Sequence, residues 1–226
     1  MPRKIRYIVP HLPHHTLQRG NNRQVIFPEI EDKDYFLKQL KKYAHENKVK
    51  IGAYCVMNNH FHLLIYPDQK EGLIKLMKNT SQIYAQYFNR KYKRTGKIWE
   101  NRYKLNIVEP ESEWIIARYI ERNPVRAGMV IDARRYPHSS AKSNLEGEGS
   151  KILDKDIIKD RREGYINFFN EKDADGDRKL YQIRTAVEQQ KGLGGKSFIE
   201  ELKRRFKVSF EVRQRGRPRK DTYSKR

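Results

Sequence analysis

The sequence predicts an α+β domain: an antiparallel sheet with helices on one face, followed by a small C-terminal helical appendix and a basic tail. Three observations carry this. Stretches of period two alternate with stretches of helical period in the order strand, helix, two strands, helix, strand, helix. The two middle strands are joined by the tight Asn58-Asn59 turn, which favours an antiparallel hairpin. After Ser139 the composition changes to small, polar and Gly-containing residues.

The first strand lies in His15 to Phe27 and runs into a Gly20-Asn21 turn. A helix follows, with Asp32 as N-cap and Tyr35, Phe36, Leu40, Tyr43 and Ala44 at helical spacing up to Asn47. The hairpin spans Lys50 to Met57 and His60 to Tyr66. Along its second arm, alternation puts His60 and His62 on one face and Phe61 and Leu63 on the other. A second helix covers Glu71 to Tyr92, its apolar stripe (Leu73, Leu76, Met77, Ile83, Tyr84, Tyr87, Phe88) belonging to the core. The last strand occupies Lys104 to Glu109, and Ser112 or Glu113 opens a helix over Trp114 to Ile120 that Pro124 ends. This order fits the ferredoxin-like (RRM-like) arrangement, a fold that hosts many functions and settles no chemistry.

Residues 141–150 read as a linker and 151–210 as the helical appendix, with helices over about Ile152 to Phe169, Lys179 to Gln190 and Ser197 to Phe206. Glu171 to Asp177 looks superficially like a calcium loop. Placing Gly176 at its sixth position puts Gln182 where a bidentate Glu is required, so it reads as a solvated acidic turn. Residues 211–226 form a basic tail, Arg213-Gln214-Arg215-Gly216-Arg217-Pro218-Arg219-Lys220 at its heart, with too few apolar residues to fold alone.

The chain has 226 residues, 49 Lys+Arg against 28 Asp+Glu, and a formal charge of +21. Such a surface attracts a polyanion through counterion release, so nucleic acid is the expected partner. Charge names a partner and no reaction. Cys55 is the only cysteine and sits in an apolar run, which excludes an intramolecular disulfide and makes a small buried side chain the expected role. No apolar run approaches the roughly 20 residues needed to span a bilayer, and the first residues lack the apolar stretch of a signal peptide. A cytoplasmic protein with neither a membrane nor a small-molecule substrate is expected.

His60 and His62 project two imidazoles to one side at a separation one metal ion can bridge, a pattern shared with zinc hydrolases. Tyr119 and Asn123 are i and i+4 and share a helix face beside the helix end. A phenol can form a covalent phosphodiester with DNA, and the Asn oxygen can serve as a third, hard metal ligand. The bland alternative is a core tyrosine at a Pro-terminated helix in a chain with fourteen tyrosines. Arg94, Lys97, Arg102 and Lys104 surround Trp99 and Tyr103, offering phosphate partners and stacking surfaces for unpaired bases. Arg215, Arg217 and Arg219 resemble the basic core of an AT-hook, which lies in the minor groove of A·T-rich duplex.

Taken together, Asn59-His60-Phe61-His62, the stretch Arg94 to Lys104, and Tyr119-Ile120-Glu121-Arg122-Asn123-Pro124-Val125-Arg126-Ala127-Gly128 resemble the IS200-like, REP-associated tyrosine transposases of bacteria, over roughly residues 5 to 140. Arg19-Gly20-Asn21-Asn22-Arg23-Gln24 matches a similar Arg-Gly-Asn stretch near the family's start. The resemblance implies a catalytic domain of the His-hydrophobic-His nuclease class over residues 1–140. It implies His60 and His62 as metal ligands, Asn123 helping them, and Tyr119 as nucleophile. It also implies single-stranded DNA with foldback hairpins as substrate, bound by Arg19, Asn21, Arg23, Arg126 and the basic positions above. A divalent ion, Mg²⁺ or Mn²⁺, would orient the scissile phosphate while Tyr119 attacks in line, leaving a 5′-phosphotyrosine and a 3′ hydroxyl. Imidazole ligands favour Mn²⁺ and availability favours Mg²⁺. Two other readings stand beside this one: a non-catalytic DNA- or RNA-hairpin-binding module on the same sheet, and a metal hydrolase that uses water. No interface signature chooses between monomer and homodimer.

Overall fold

The computed structural model describes residues 5–171 and 176–210. Among them, strands β1 (His14–Arg19), β2 (Val49–Val56), β3 (His60–Pro67) and β4 (Lys104–Ile107) form one antiparallel sheet in the order β2-β3-β1-β4. Helix α1 (Ile30–Glu46) connects β1 to β2, and α2 (Lys70–Lys91) connects β3 to β4. This is the expected ferredoxin-like path.

Alternation along β3 sorts the core into two layers. Phe61, Leu63 and Ile65 pack on the first face with Phe36 and Leu40 of α1 and Leu73, Leu76, Met77 and Tyr84 of α2. The start of α1 is tied to the end of α2 through Asp32, which is fully buried and accepts from Lys91 Nζ at 2.7 Å, Tyr92 Oη at 2.7 Å and Tyr87 Oη at 3.0 Å. Asp32 is therefore not the N-cap. Glu29 caps α1, and Asp32 closes a capping box from the third helical position by accepting the Glu29 N–H.

Helices on one face describes only α1 and α2. The second face carries Leu17, Cys55, Leu64 and Tyr66, and it is covered too, by α3 (Glu113–Glu121) through Ile116, Ala117 and Ile120. Tyr165 and Phe169 of α6 (Arg162–Asn170) join the same cluster, as does Val187 of α7 (Gly176–Gln189), the helix that packs against β4. The appendix thus shares the core of the sheet. Cys55 is fully buried there, as its apolar surroundings predict.

The expected linker is a correction of the same kind. After α4 (Asn123–Arg126), the stretch 141–150 begins with a helix, α5 (Ala141–Glu146), in which Ala141, Asn144 and Leu145 are buried. Lys142 and Glu146 face out, whereas Asn144 is satisfied inside the protein rather than by water. The first appendix helix is also shorter than its apolar spacing suggests. Ile152 and Leu153 pack against the first-face core and Ile157 and Ile158 join the second, while Asp156 Oδ1 accepts from the Ile158 and Lys159 N–H groups in a turn. The last helix, α8 (Lys196–Phe206), forms where the sequence places it. The bulk of the acidic turn (172–175) and the basic tail, with Arg215, Arg217 and Arg219, lie outside the described residues.

At Gly20, after β1, an added Cβ would stand 2.4 Å from the Gln24 carbonyl oxygen and 2.9 Å from Ile26 Cγ2. The Gly20 N–H also donates to Asn59 O at 2.8 Å, fixing the turn before His60. Gly20→Ala should cost about 1–3 kcal/mol through this overpacking, read as a lower urea midpoint at unchanged slope.

Candidate active site

The second face brings the sequence-predicted residues together. His62 projects from β3 with 3% exposure, and the ring of Tyr119, on α3, stands edge-on to it at 5.6 Å between centroids. His60 lies one pleat along, its ring 5.1 Å from that of His62. A third imidazole, His15 of the interior strand β1, is fully buried, 5.9 Å from the Tyr119 ring and 5.1 Å from His62.

The donor set suits a divalent ion. His60 Nδ1 is 2.6 Å from Asn59 Oδ1 and His62 Nδ1 is 2.9 Å from His15 Nε2, so each ring has its Nδ1 engaged and its Nε2 left for a ligand. Burial keeps these rings neutral: it drives His60 down to about 4 and His15 to about 3, and holds His62 well below the usual imidazole value. Neutral imidazole is the form that binds metal. Asn123 Nδ2 donates at 3.0 Å to the carbonyls of both Tyr119 and Ile120, the latter left without its usual partner because Pro124 has no N–H. That use of its amide protons leaves the Asn123 oxygen as the atom available to a cation. Among the described residues no group of three or more His, Cys, Asp or Glu side chains is placed to hold a metal ion, so the set here is two imidazoles and an amide.

Tyr119 itself is 8% exposed. Burial raises its phenol above the ordinary value, opposed by the positive charges of Arg126, Arg184 and Arg19 and by a hydrogen bond from Arg184. The Arg126 guanidinium sits 4.9 Å over the Tyr119 ring and donates to the Tyr119 carbonyl. Arg126, expected on nucleic acid, makes these contacts with the tyrosine in this structure.

The basic positions gather at the same end of the sheet. Backbone bonds from Asn21 N to Ile98 O (2.7 Å) and from Glu100 N to Arg19 O (2.9 Å) join the 19–24 turn to the 94–100 loop, and Asn59 Nδ2 reaches Arg23 O at 3.1 Å. Arg19, Asn21, Arg23, Arg94 and Lys97 therefore form one rim beside His60, with Arg23, Arg94, Lys97 and Arg102 exposed and Lys104 half-buried. Trp99 and Tyr103, expected as stacking surfaces, have their rings engaged within the protein. Trp99 donates Nε1–H to Ser81 O at 2.9 Å and packs on Phe27 and Phe61, while Tyr103 is 8% exposed under the Arg6 guanidinium.

Residues 9–123 match the family model described as Transposase IS200 like. The chain belongs to the IS200-like transposase family. Its fold is also that of a solved structure described as the REP-associated tyrosine transposase bound to a REP hairpin: 18% identity, 70% of this chain and 93% of that chain covered, TM-score 0.52. A putative transposase from Deinococcus radiodurans R1 is 22% identical over 54% of this chain and 97% of that one, with a TM-score of 0.38. No curated protein matches the chain. No described helix is long and apolar enough to cross a membrane.

In this IS200-like transposase three residues at the site carry no sequence signal of their own. His15 is one more histidine in a strand until the register shows which face it shares with His62. Asn106 and Arg184 reach the site only through the pairing of β1 with β4 and the packing of α7.

Proposed function

We propose that this transposase cleaves and rejoins single-stranded DNA next to hairpin, REP-like sequences through a 5′-phosphotyrosine on Tyr119. The observation that carries the reading is the approach of the Tyr119 ring to His62, 5.6 Å between centroids, with the His60 ring 5.1 Å from that of His62.

His60, His62 and Asn123 would hold Mg²⁺ or Mn²⁺, which when bound supplies Lewis-acid neutralisation of the phosphate oxygens. Tyr119 loses its proton and its oxygen attacks phosphorus in line. The bond to the 3′ oxygen breaks, that oxygen leaves as a 3′ hydroxyl, and the 5′ phosphate stays on the tyrosine. Attack by the 3′ hydroxyl of another strand reverses the step and frees the phenol, so the phosphodiester energy is kept. Arg126 and Arg184 stabilise the phenolate against the burial that opposes it. The rim of Arg19, Asn21, Arg23, Arg94 and Lys97 holds the flanking phosphates.

Incubation with a labelled single-stranded hairpin in Mg²⁺ or Mn²⁺, resolved on a denaturing gel, should give a protein–DNA adduct. Cleaved DNA with free phosphate ends and no adduct would point to water as the nucleophile. Binding without cleavage in either metal would leave a hairpin-binding protein. Arg23→Ala and Lys97→Ala should each lower hairpin affinity and reduce the slope of log K against log salt by about 1; an unchanged slope removes that residue from the phosphate rim.

A further inference from the structure

The second face holds a row of buried polar groups that runs from the C-terminal appendix to His62. The register of β1 and β4 sets His15 directly opposite Asn106, and both are buried. Asn106 Nδ2 donates to the backbone carbonyls of Ala186, 2.9 Å, and Lys191, 2.8 Å, at the end of α7. Both amide protons are thereby used, which leaves the Asn106 oxygen as the acceptor facing His15, its partner in the strand register. That oxygen and His15 Nδ1 are both buried with no hydrogen-bond partner among the described residues, so each is the complement available to the other.

An oxygen that can only accept requires the proton of His15 to sit on Nδ1, which leaves a lone pair on His15 Nε2. That atom is 2.9 Å from His62 Nδ1, and the two ring planes are within 11° of parallel. The proton between them must then belong to His62 Nδ1, and His62 Nε2 is left bare. The same logic governs its neighbour: Asn59 Nδ2 is spent on Arg23 O, its oxygen takes the proton of His60 Nδ1, and His60 Nε2 is bare as well. Placing the His62 proton on Nε2 instead would set two lone pairs against each other in a buried space, or strand a lone pair of His15 against the Asn106 oxygen.

We propose that His15, oriented by Asn106, is a positioning residue that holds His62 in the one tautomer able to bind a cation, and that docking of the end of α7 onto β4 sets this state. The inference rests on the reading of His60 and His62 as ligands. It gives the appendix a part in the site: the carbonyls of Ala186 and Lys191 orient Asn106, Asn106 orients His15, and His15 orients His62. The docking is itself anchored, with Leu193 N donating to Ile107 O and Glu109 N to Leu193 O, both at 2.8 Å.

The test is calorimetric titration of the full-length chain with Mn²⁺, together with nitrogen-15 NMR of the histidine rings in the metal-free protein. The parent should bind Mn²⁺ and His62→Ala should not. His15→Phe fills the same space without an acceptor and should weaken binding about 10- to 100-fold, with Asn106→Leu acting in the same direction. In His15→Gln the amide oxygen can accept the same proton, so affinity should return to within roughly threefold of the parent. The NMR spectrum of the parent should show His62 protonated on Nδ1. Parental affinity in His15→Phe, with binding abolished in His62→Ala, overturns the inference alone. Failure of the parent to bind, or unchanged binding in His62→Ala, overturns the ligand reading beneath it. If His15→Phe does not fold, the tautomer decides: a parent His62 protonated on Nε2 defeats the proposal.

Discussion

A Tyr119→Phe chain should bind hairpin DNA as the parent does and form no covalent adduct with it. The substitution deletes one oxygen from a side chain whose ring is held by its surroundings: the ring packs in the second-face core, stands edge-on to His15 and His62, and lies under the Arg126 guanidinium. None of those contacts needs the hydroxyl. The lost bond is the one from Arg184, an exposed side chain that water can satisfy, so the folding cost should stay within about 1 kcal/mol. The chemical cost is of another order, because the nucleophile itself is gone, and strand cleavage should fall by roughly 10⁴-fold or more. A denaturing gel reads the adduct and a filter or mobility-shift assay reads the binding. An adduct that persists in Tyr119→Phe transfers the nucleophile's role to another residue and removes the proposed mechanism.

The second large effect concerns stability and its dependence on pH. Glu121, two residues after the tyrosine, is fully buried and joins α3 to the appendix. Its Oε1 accepts from Ser140 Oγ and from Asn144 Nδ2 at 2.7 Å, and its Oε2 accepts from Tyr165 Oη at 2.8 Å. Burial pushes its carboxyl up from 4.5 to about 7, and the three hydrogen bonds only partly resist. The Tyr54, Cys55 and Tyr165 groups facing it are neutral acids and add no cation. The folded state therefore keeps a proton that the unfolded chain releases above about 4.5. The stabilisation from this group is complete below the unfolded value and is lost as pH rises through the folded value, a change of about 3 kcal/mol between pH 5 and pH 8. Glu121→Gln imitates the protonated acid, since its amide can still accept from Ser140 and Asn144 while donating to Tyr165. Its stability should vary less over that interval than the parent's, by about the same 3 kcal/mol, as measured by urea unfolding at both pH values. Glu121→Ala strands three buried donors and should cost about 2–5 kcal/mol at pH 5. Parallel pH curves for the parent and Glu121→Gln would show that the buried carboxyl is not what titrates.

The parts of the site that could be read beforehand are those with local periodicity. His60 and His62 share a face because strand side chains alternate, and Tyr119 and Asn123 share a face because a helix turns every 3.6 residues. Trp99 and Tyr103 show where that reading stops. Aromatic rings among cations look alike whether they meet a base or a core, and only the packing of Trp99 on Phe27 and Phe61 distinguishes the two. Residues 141–150 mislead for a related reason. Small polar side chains suit solvent, and Ser140 and Asn144 are nonetheless buried because Glu121, about twenty residues earlier in the chain, receives their hydrogen bonds.

By itself the sequence determined the order of the sheet's strands and its two flanking helices, the strongly positive charge, the pairing of two histidines on a strand and the family to which they point. These follow from the spacing of residues a few positions apart. Only the tertiary structure decided that helices cover both faces of the sheet, that His15 and Asn106 stand behind His62, and that the appendix reaches the site through the Ala186 and Lys191 carbonyls and through Arg184. Those contacts join residues nearly fifty to more than ninety positions apart, and their partners are chosen by strand register and by the burial of polar groups that must find one another once water is excluded.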